Sequence, residues 1–155
     1  MPSVAKQHAN IPPSLGTALW QVRDDLGLTP AQCSHQWGLS IAALDRLERG
    51  HGRLTTFCDL IDRLGYRIDI RTWEYKRLMP LEDTIDPRKL CAGLVAYMSS
   101  HLRTLNQQCK LWPTTNQRIA VQLAEPTCSL NAFEAYARSL ALHCCLVPVP
   151  CDGKQ

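Results

Sequence analysis

Long apolar runs are missing from this chain. No stretch approaches the roughly 20 residues that a membrane span requires, and Met1–Ser14 has no apolar centre of the kind a secretory leader carries. The expectation is a cytoplasmic protein with no membrane partner. Low-complexity tracts are absent, and charge is sparse: 20% of residues are charged and the net charge is +3. With 45% hydrophobic residues, the 155 positions suit one ordinary domain or two very small ones. The eight cysteines contain no Cys-x-x-Cys pair. Without a secretory context they point away from a disulfide framework. Cys33, Cys58 and Cys91 fall beside leucines on helical stripes, where a free cysteine acts as a small hydrophobe. His143, Cys144, Cys145 and Cys151 cluster, but neighbours on a strand point to opposite faces, so Cys144 and Cys145 make a poor grip for one ion. No metal or other cofactor is expected. Ser, His, Cys and acids are present, yet none stands in a recognised catalytic motif, and no enzyme is expected.

What is present is concentrated in Leu15–Gly65. Leu15, Leu19, Val22 and Leu26 form the stripe of a first helix. Thr29 caps a second, with Pro30 at its first position, ending near Trp37-Gly38. Ser40 caps a third that carries Leu44 and Leu47 and stops at Gly50. Leu54, Phe57, Leu60, Ile61 and Leu64 line a fourth. Two short helices joined by Gly38-Leu39-Ser40 make a helix-turn-helix, whose second helix enters the DNA major groove.

This stretch resembles the Cro/repressor-type (XRE) helix-turn-helix family. The resemblance lies in Arg23…Gly27-Leu28-Thr29, in Leu44…Leu47-Glu48-Arg49-Gly50, and in Leu64-Gly65. It implies a structural ion pair between Arg23 and Glu48, and double-stranded DNA as the partner. It also implies base-reading positions just after the cap of the third helix: Ile41, Ala42 and Arg46, with Asp45 alongside.

Tyr66–Trp73 alternates Tyr66, Ile68 and Ile70 with Arg67, Asp69 and Arg71, the period of a half-buried strand. A partner strand emerges when the chain is compared with itself at an offset of 76 residues. Leu54-Thr55-Thr56-Phe57 then lies on Leu130-Asn131-Ala132-Phe133, Leu64 on Leu140, and Ile68-Asp69-Ile70 on Cys144-Cys145-Leu146. Gln32-Cys33 lies on Gln108-Cys109, Ser40 on Asn116 and Leu47 on Leu123. The predicted fold is mainly α: two tandem four-to-five-helix units, each followed by a short β-strand. The predicted boundaries are a tail over 1–14, the first unit over 15–73, a linker over 74–87, a degenerate second unit over 88–149, and a tail over 150–155. In the second unit Arg23 becomes Ser99 and Glu48 becomes Ala124, so the ion pair is lost as a unit, which avoids stranding one charge.

The two units differ as base readers. Ile41 and Ala42 suit thymine methyl groups and Arg46 suits guanine or phosphate, while Asp45 opposes phosphates. The matching positions of the second unit are Gln117, Arg118 and Gln122 behind the cap Asn116. Gln suits adenine and Arg suits guanine through paired hydrogen bonds. Seven Arg balance seven acids over 15–71, whereas six bases face two acids over 88–150, so the second half is the basic one. Thr29, Gln32, Ser40, Arg49, His51 and Arg53 in the first unit, and Thr104, Gln107 and Lys110 in the second, are placed to meet phosphates or to cap. Trp20 and Trp37 are assigned to the core and its edge, and Trp73 to the interface between units. The expected function is a sequence-specific transcriptional regulator, repressor-like. The alternative is a protein-binding regulator such as an antitoxin or antiactivator, and a homodimer or a protein partner is compatible with either.

Overall fold

The computed structural model describes residues 13–108 and 128–149. Four helices come first: α1 (Leu15–Asp25), α2 (Pro30–Trp37), α3 (Ile41–Glu48) and α4 (Leu54–Leu64). Strand β1 (Tyr66–Arg71), a 3-10 turn (Leu81–Ile85), the long helix α5 (Pro87–Gln108), α6 (Leu130–Ser139) and strand β2 (His143–Pro148) follow. Local chemistry sets the boundaries. The Thr17, Ala43 and Ala132 amides donate to the hydroxyls of Ser14, Ser40 and Ser129, satisfying donors that a helix start leaves unpaired. α2 carries the reciprocal form, in which the Gln32 amide donates to Thr29 Oγ1 and Gln32 Oε1 accepts from the Thr29 amide. Gly38 and Gly65 end α2 and α4 in the left-handed region.

One apolar cluster holds these elements. Leu15, Leu19, Leu44, Leu47, Leu54, Phe57 and Leu60 share it with Leu90, Leu94, Leu130, Phe133 and Tyr136 from the later part of the chain. Each such side chain, fully buried, contributes about 1.5–3 kcal/mol. α1 and α3 approach closely at Gly16, where an added Cβ would sit 2.5 Å from the Glu48 carbonyl oxygen. The Leu15 amide donates to Glu134 Oε2 at 2.9 Å, tying the start of α1 to α6.

β1 and β2 pair antiparallel, with Ile68 opposite Leu146, Asp69 opposite Cys145 and Ile70 opposite Cys144. Asp69 and Cys145 are 76 positions apart, as are Arg53 and Ser129, which form an isolated antiparallel bridge. The Leu54 amide donates to the Cys128 carbonyl at 2.9 Å, and the Leu130 amide to the Gly52 carbonyl at 2.8 Å. A shift of 76 exchanges these two bonds. α4 and α6 begin at residues separated by the same offset.

The segment expected as a linker, 74–87, packs on the fold: Arg77 pairs back on Arg71, the Leu78 amide donates to the Ile70 carbonyl at 2.7 Å, and Thr84 is buried. Two expectations need correction. Where 11 residues suffice for α1, α5 runs 22 residues without a break, so Thr104 and Gln107 lie within it and not on a separate second helix. The reason is compositional. Gly27 and Pro30, which break the first unit there, correspond to Arg103 and Asn106, and neither stops a helix. Trp20, Leu26 and Trp73 are exposed and not core or interface residues, and β1 ends before Trp73.

Candidate nucleic-acid interface

The three residues Gly38, Leu39 and Ser40 join α2 to α3, and α3 is held from behind. Leu44 and Leu47 are buried under it. Arg23 on α1 grips Glu48 in a two-point contact, Nε to Oε2 at 2.7 Å and Nη2 to Oε1 at 3.1 Å, with both side chains nearly nine-tenths buried. A third bond runs from Arg23 Nη1 to the Leu28 carbonyl at 3.2 Å. The Glu48 hydrogen bond holds the Arg23 guanidinium still further above its ordinary value against the opposing effect of burial. The pair therefore joins α1, the turn before α2, and the last turn of α3.

The outward face of α3 presents Ile41, Ala42, Asp45, Arg46 and Arg49, all exposed. Asp45 does not stand alone there: Arg49 Nε lies 3.1 Å from its carboxylate, one helical turn away, which offsets the charge that would oppose a phosphate. Two clefts flank this face. One, of about 390 Å³, is bounded by Arg23, Pro30, Ile41, Ala42, Asp45 and Glu48, and brings the start of α2 beside the start of α3. The other, of about 300 Å³, gathers Arg46, His51 and Arg53 around Ala43, Gly52 and Thr56. Among the described residues no side-chain hydrogen bond or ion pair engages Arg46, His51 or Arg53. One surface thus runs from Pro30 over α3 to Arg53, with the three free bases towards its far end. Thr29 and Gln32 are exposed with their side chains already committed to the cap of α2, and the Ser40 hydroxyl is committed to the cap of α3.

Lys110, Asn116, Gln117, Arg118 and Gln122 lie outside the described residues.

Several residues that shape this region carry no local motif in the sequence. Asp69, buried on β1, receives Arg77 Nε at 2.9 Å and Arg71 Nε at 2.8 Å. Burial alone would raise its carboxyl, but the Arg77 and Arg71 hydrogen bonds outweigh it and hold Asp69 below the ordinary carboxylate value. Glu134 is the opposite case: burial raises it, against the Leu15 amide bond and the charge of Arg138. Cys33, Cys58, Cys91 and Cys144 are buried free thiols, and Cys145 donates to the Asp69 carbonyl. Among the described residues no helix is long and apolar enough to cross a membrane.

No protein-family model matches the chain, and neither does any curated protein or solved structure.

Proposed function

We propose that the chain is a sequence-specific DNA-binding regulator built from two related helix-turn-helix units, residues 15–73 and 88–149, set about an approximate two-fold axis. The observation that carries the DNA reading is α3. It is short, capped at Ser40, locked from behind by Arg23–Glu48, and bare on its outer face, with Arg46, His51 and Arg53, unpaired among the described residues, at its exit. Such a helix can enter a major groove while its neighbours meet phosphates. The tandem arrangement draws support from the two backbone bonds and the two antiparallel pairs that exchange under the 76-residue offset.

The division of labour follows from side-chain chemistry. α3 offers a methyl-contacting pair and one arginine, whereas Gln117, Arg118 and Gln122 offer two-point contacts to adenine and guanine. Two unlike heads in one chain suit an asymmetric site. Because β1 pairs with β2 of the same chain, a homodimer would have to use an edge other than the one these two strands share, or another surface.

A protein-binding regulator, an antitoxin or antiactivator, is the second reading. It is favoured by the 390 Å³ cleft, where Ile41, half exposed, stands beside Pro30 and Ala42. Binding of the full chain to a random-sequence 30-base-pair duplex, followed by fluorescence anisotropy across salt, separates the two. A DNA-binding regulator contacting about six phosphates gives a log–log slope near −5. A flat or undetectable response favours the protein-binding reading.

A further inference from the structure

Asn131 is the second residue of α6, yet its contacts lie at Arg49 and Gly50, more than 80 residues earlier in the chain. Its main-chain amide donates to the Gly50 carbonyl at 2.9 Å, and its Nδ2 donates to the Arg49 carbonyl at 3.4 Å. Next to it, the Leu130 amide donates to the Gly52 carbonyl at 2.8 Å. These three carbonyls lie on the segment that follows α3 and leads into α4, residues 49–52. The Leu130 and Asn131 amides are among the donors that a helix start leaves without internal partners, and this segment satisfies them. The fit is tight: a Cβ on Gly50 would run into the Asn131 side-chain amide.

We infer that Asn131 is a positioning residue for α3: from the far half of the chain it fixes the exit of that helix, and with it the angle at which Ile41, Ala42 and Arg46 are presented. This deepens, and rests on, the DNA-binding reading of α3. An exposed polar residue in the first turn of a helix also has a plainer role, as a capping group for its own helix, and the two roles separate experimentally.

Two variants of the full chain make the separation. Asn131→Asp is isosteric and places an acid at a helix start, which the helix dipole favours, but it sets a carboxylate against the Arg49 carbonyl in place of a donor. Asn131→Pro removes the amide that reaches Gly50, at a helix position where that amide has no internal partner. The first readout is hydrogen exchange at the amides of Gly50, His51, Gly52 and Arg53, which should speed by about five-fold or more in both variants while N131D keeps its thermal midpoint. The second is affinity for a duplex enriched from a random pool by the wild-type chain, set against a random duplex. It should fall about five-fold for the enriched duplex and stay within about two-fold for the random one. Unchanged exchange in N131D overturns the inference, whether or not N131P folds. Equal losses on both duplexes also overturn it, since a charge or stability effect would act on both alike. Faster exchange in a chain whose wild type binds neither duplex supports the clamp and defeats the DNA reading instead.

Discussion

Arg23 and Glu48 illustrate how much a single contact does here. Their two-point bond is mostly shielded from water and, among the described residues, has no substitute partner at either end apart from the Leu28 carbonyl. Replacing Glu48 with alanine strands the guanidinium, which should cost about 2–3 kcal/mol, read as a lowered urea midpoint at unchanged slope. The two buried carboxylates act in opposite pH directions. Glu134 keeps its proton to a higher pH in the folded chain than its ordinary 4.5, because burial disfavours the charge. Its contribution is therefore full below that value and is lost as pH rises through the folded one. Asp69, held below its ordinary 3.8 by Arg77 and Arg71 despite burial, contributes above 3.8 and loses that contribution as pH falls through its folded value. Glu134→Gln keeps an acceptor for the Leu15 amide and removes the charge. Its urea midpoint should gain on the wild type as pH rises from about 4 to about 7. A difference that does not change with pH would contradict the assignment to Glu134.

The first four helices could be read from their punctuation, because caps and stops act over three or four residues. Ser40, Thr29-Pro30, Gly38 and Gly65 each mark a boundary that stands where the sequence places it. The outer face of α3 was legible for the same reason, since a helical stripe and its opposite face follow from spacing alone. α5 was not, because its length depends on the lack of a stop at Arg103 and Asn106, and a missing signal is easily overridden by the pattern of a repeat. The hairpin from Arg71 to Arg77 was hidden too, because what holds it is a buried Asp69 that accepts from two arginines, a pairing with no local signature. Gly50 shows the same division. That it stops a helix was visible, while its contact with Asn131 depends on packing between distant elements. Gly50→Ala should therefore cost more than Gly38→Ala by what it takes to turn the Asn131 side chain aside. Both sit at positive φ, 83° and 71°, but only Gly50 has a neighbour in the space a Cβ would take. Strain alone predicts about 1 kcal/mol at Gly38, and a larger loss at Gly50 read from the thermal midpoints.

Both halves of the chain feed one core, and the strand that each contributes pairs with the other. With β1 and β2 paired inside one chain and both parts of the chain in one core, light scattering should return the 17.4 kDa mass of one chain at micromolar concentration. A dimer mass would mean that an additional surface, such as the exposed Trp73 and Tyr75, joins copies. The offset of 76 residues is what made this closure visible in the sequence, because cap, phenylalanine and strand recur together in one register.

Selection of binding sites from a pool of randomised duplexes by the full chain tests most directly whether the protein reads DNA, and with which half. The expected product is an asymmetric site with two unlike elements about 10 base pairs apart. Gln117→Ala or Arg118→Ala should erase the preference within one element at a cost of about 1–3 kcal/mol per contact, and Ile41→Ala should weaken the other element less. A pool that emerges without enrichment would contradict sequence-specific binding altogether. A site abolished by changes at Ile41, Ala42 and Arg46 and untouched by changes at Gln117 and Arg118 would overturn the division of labour.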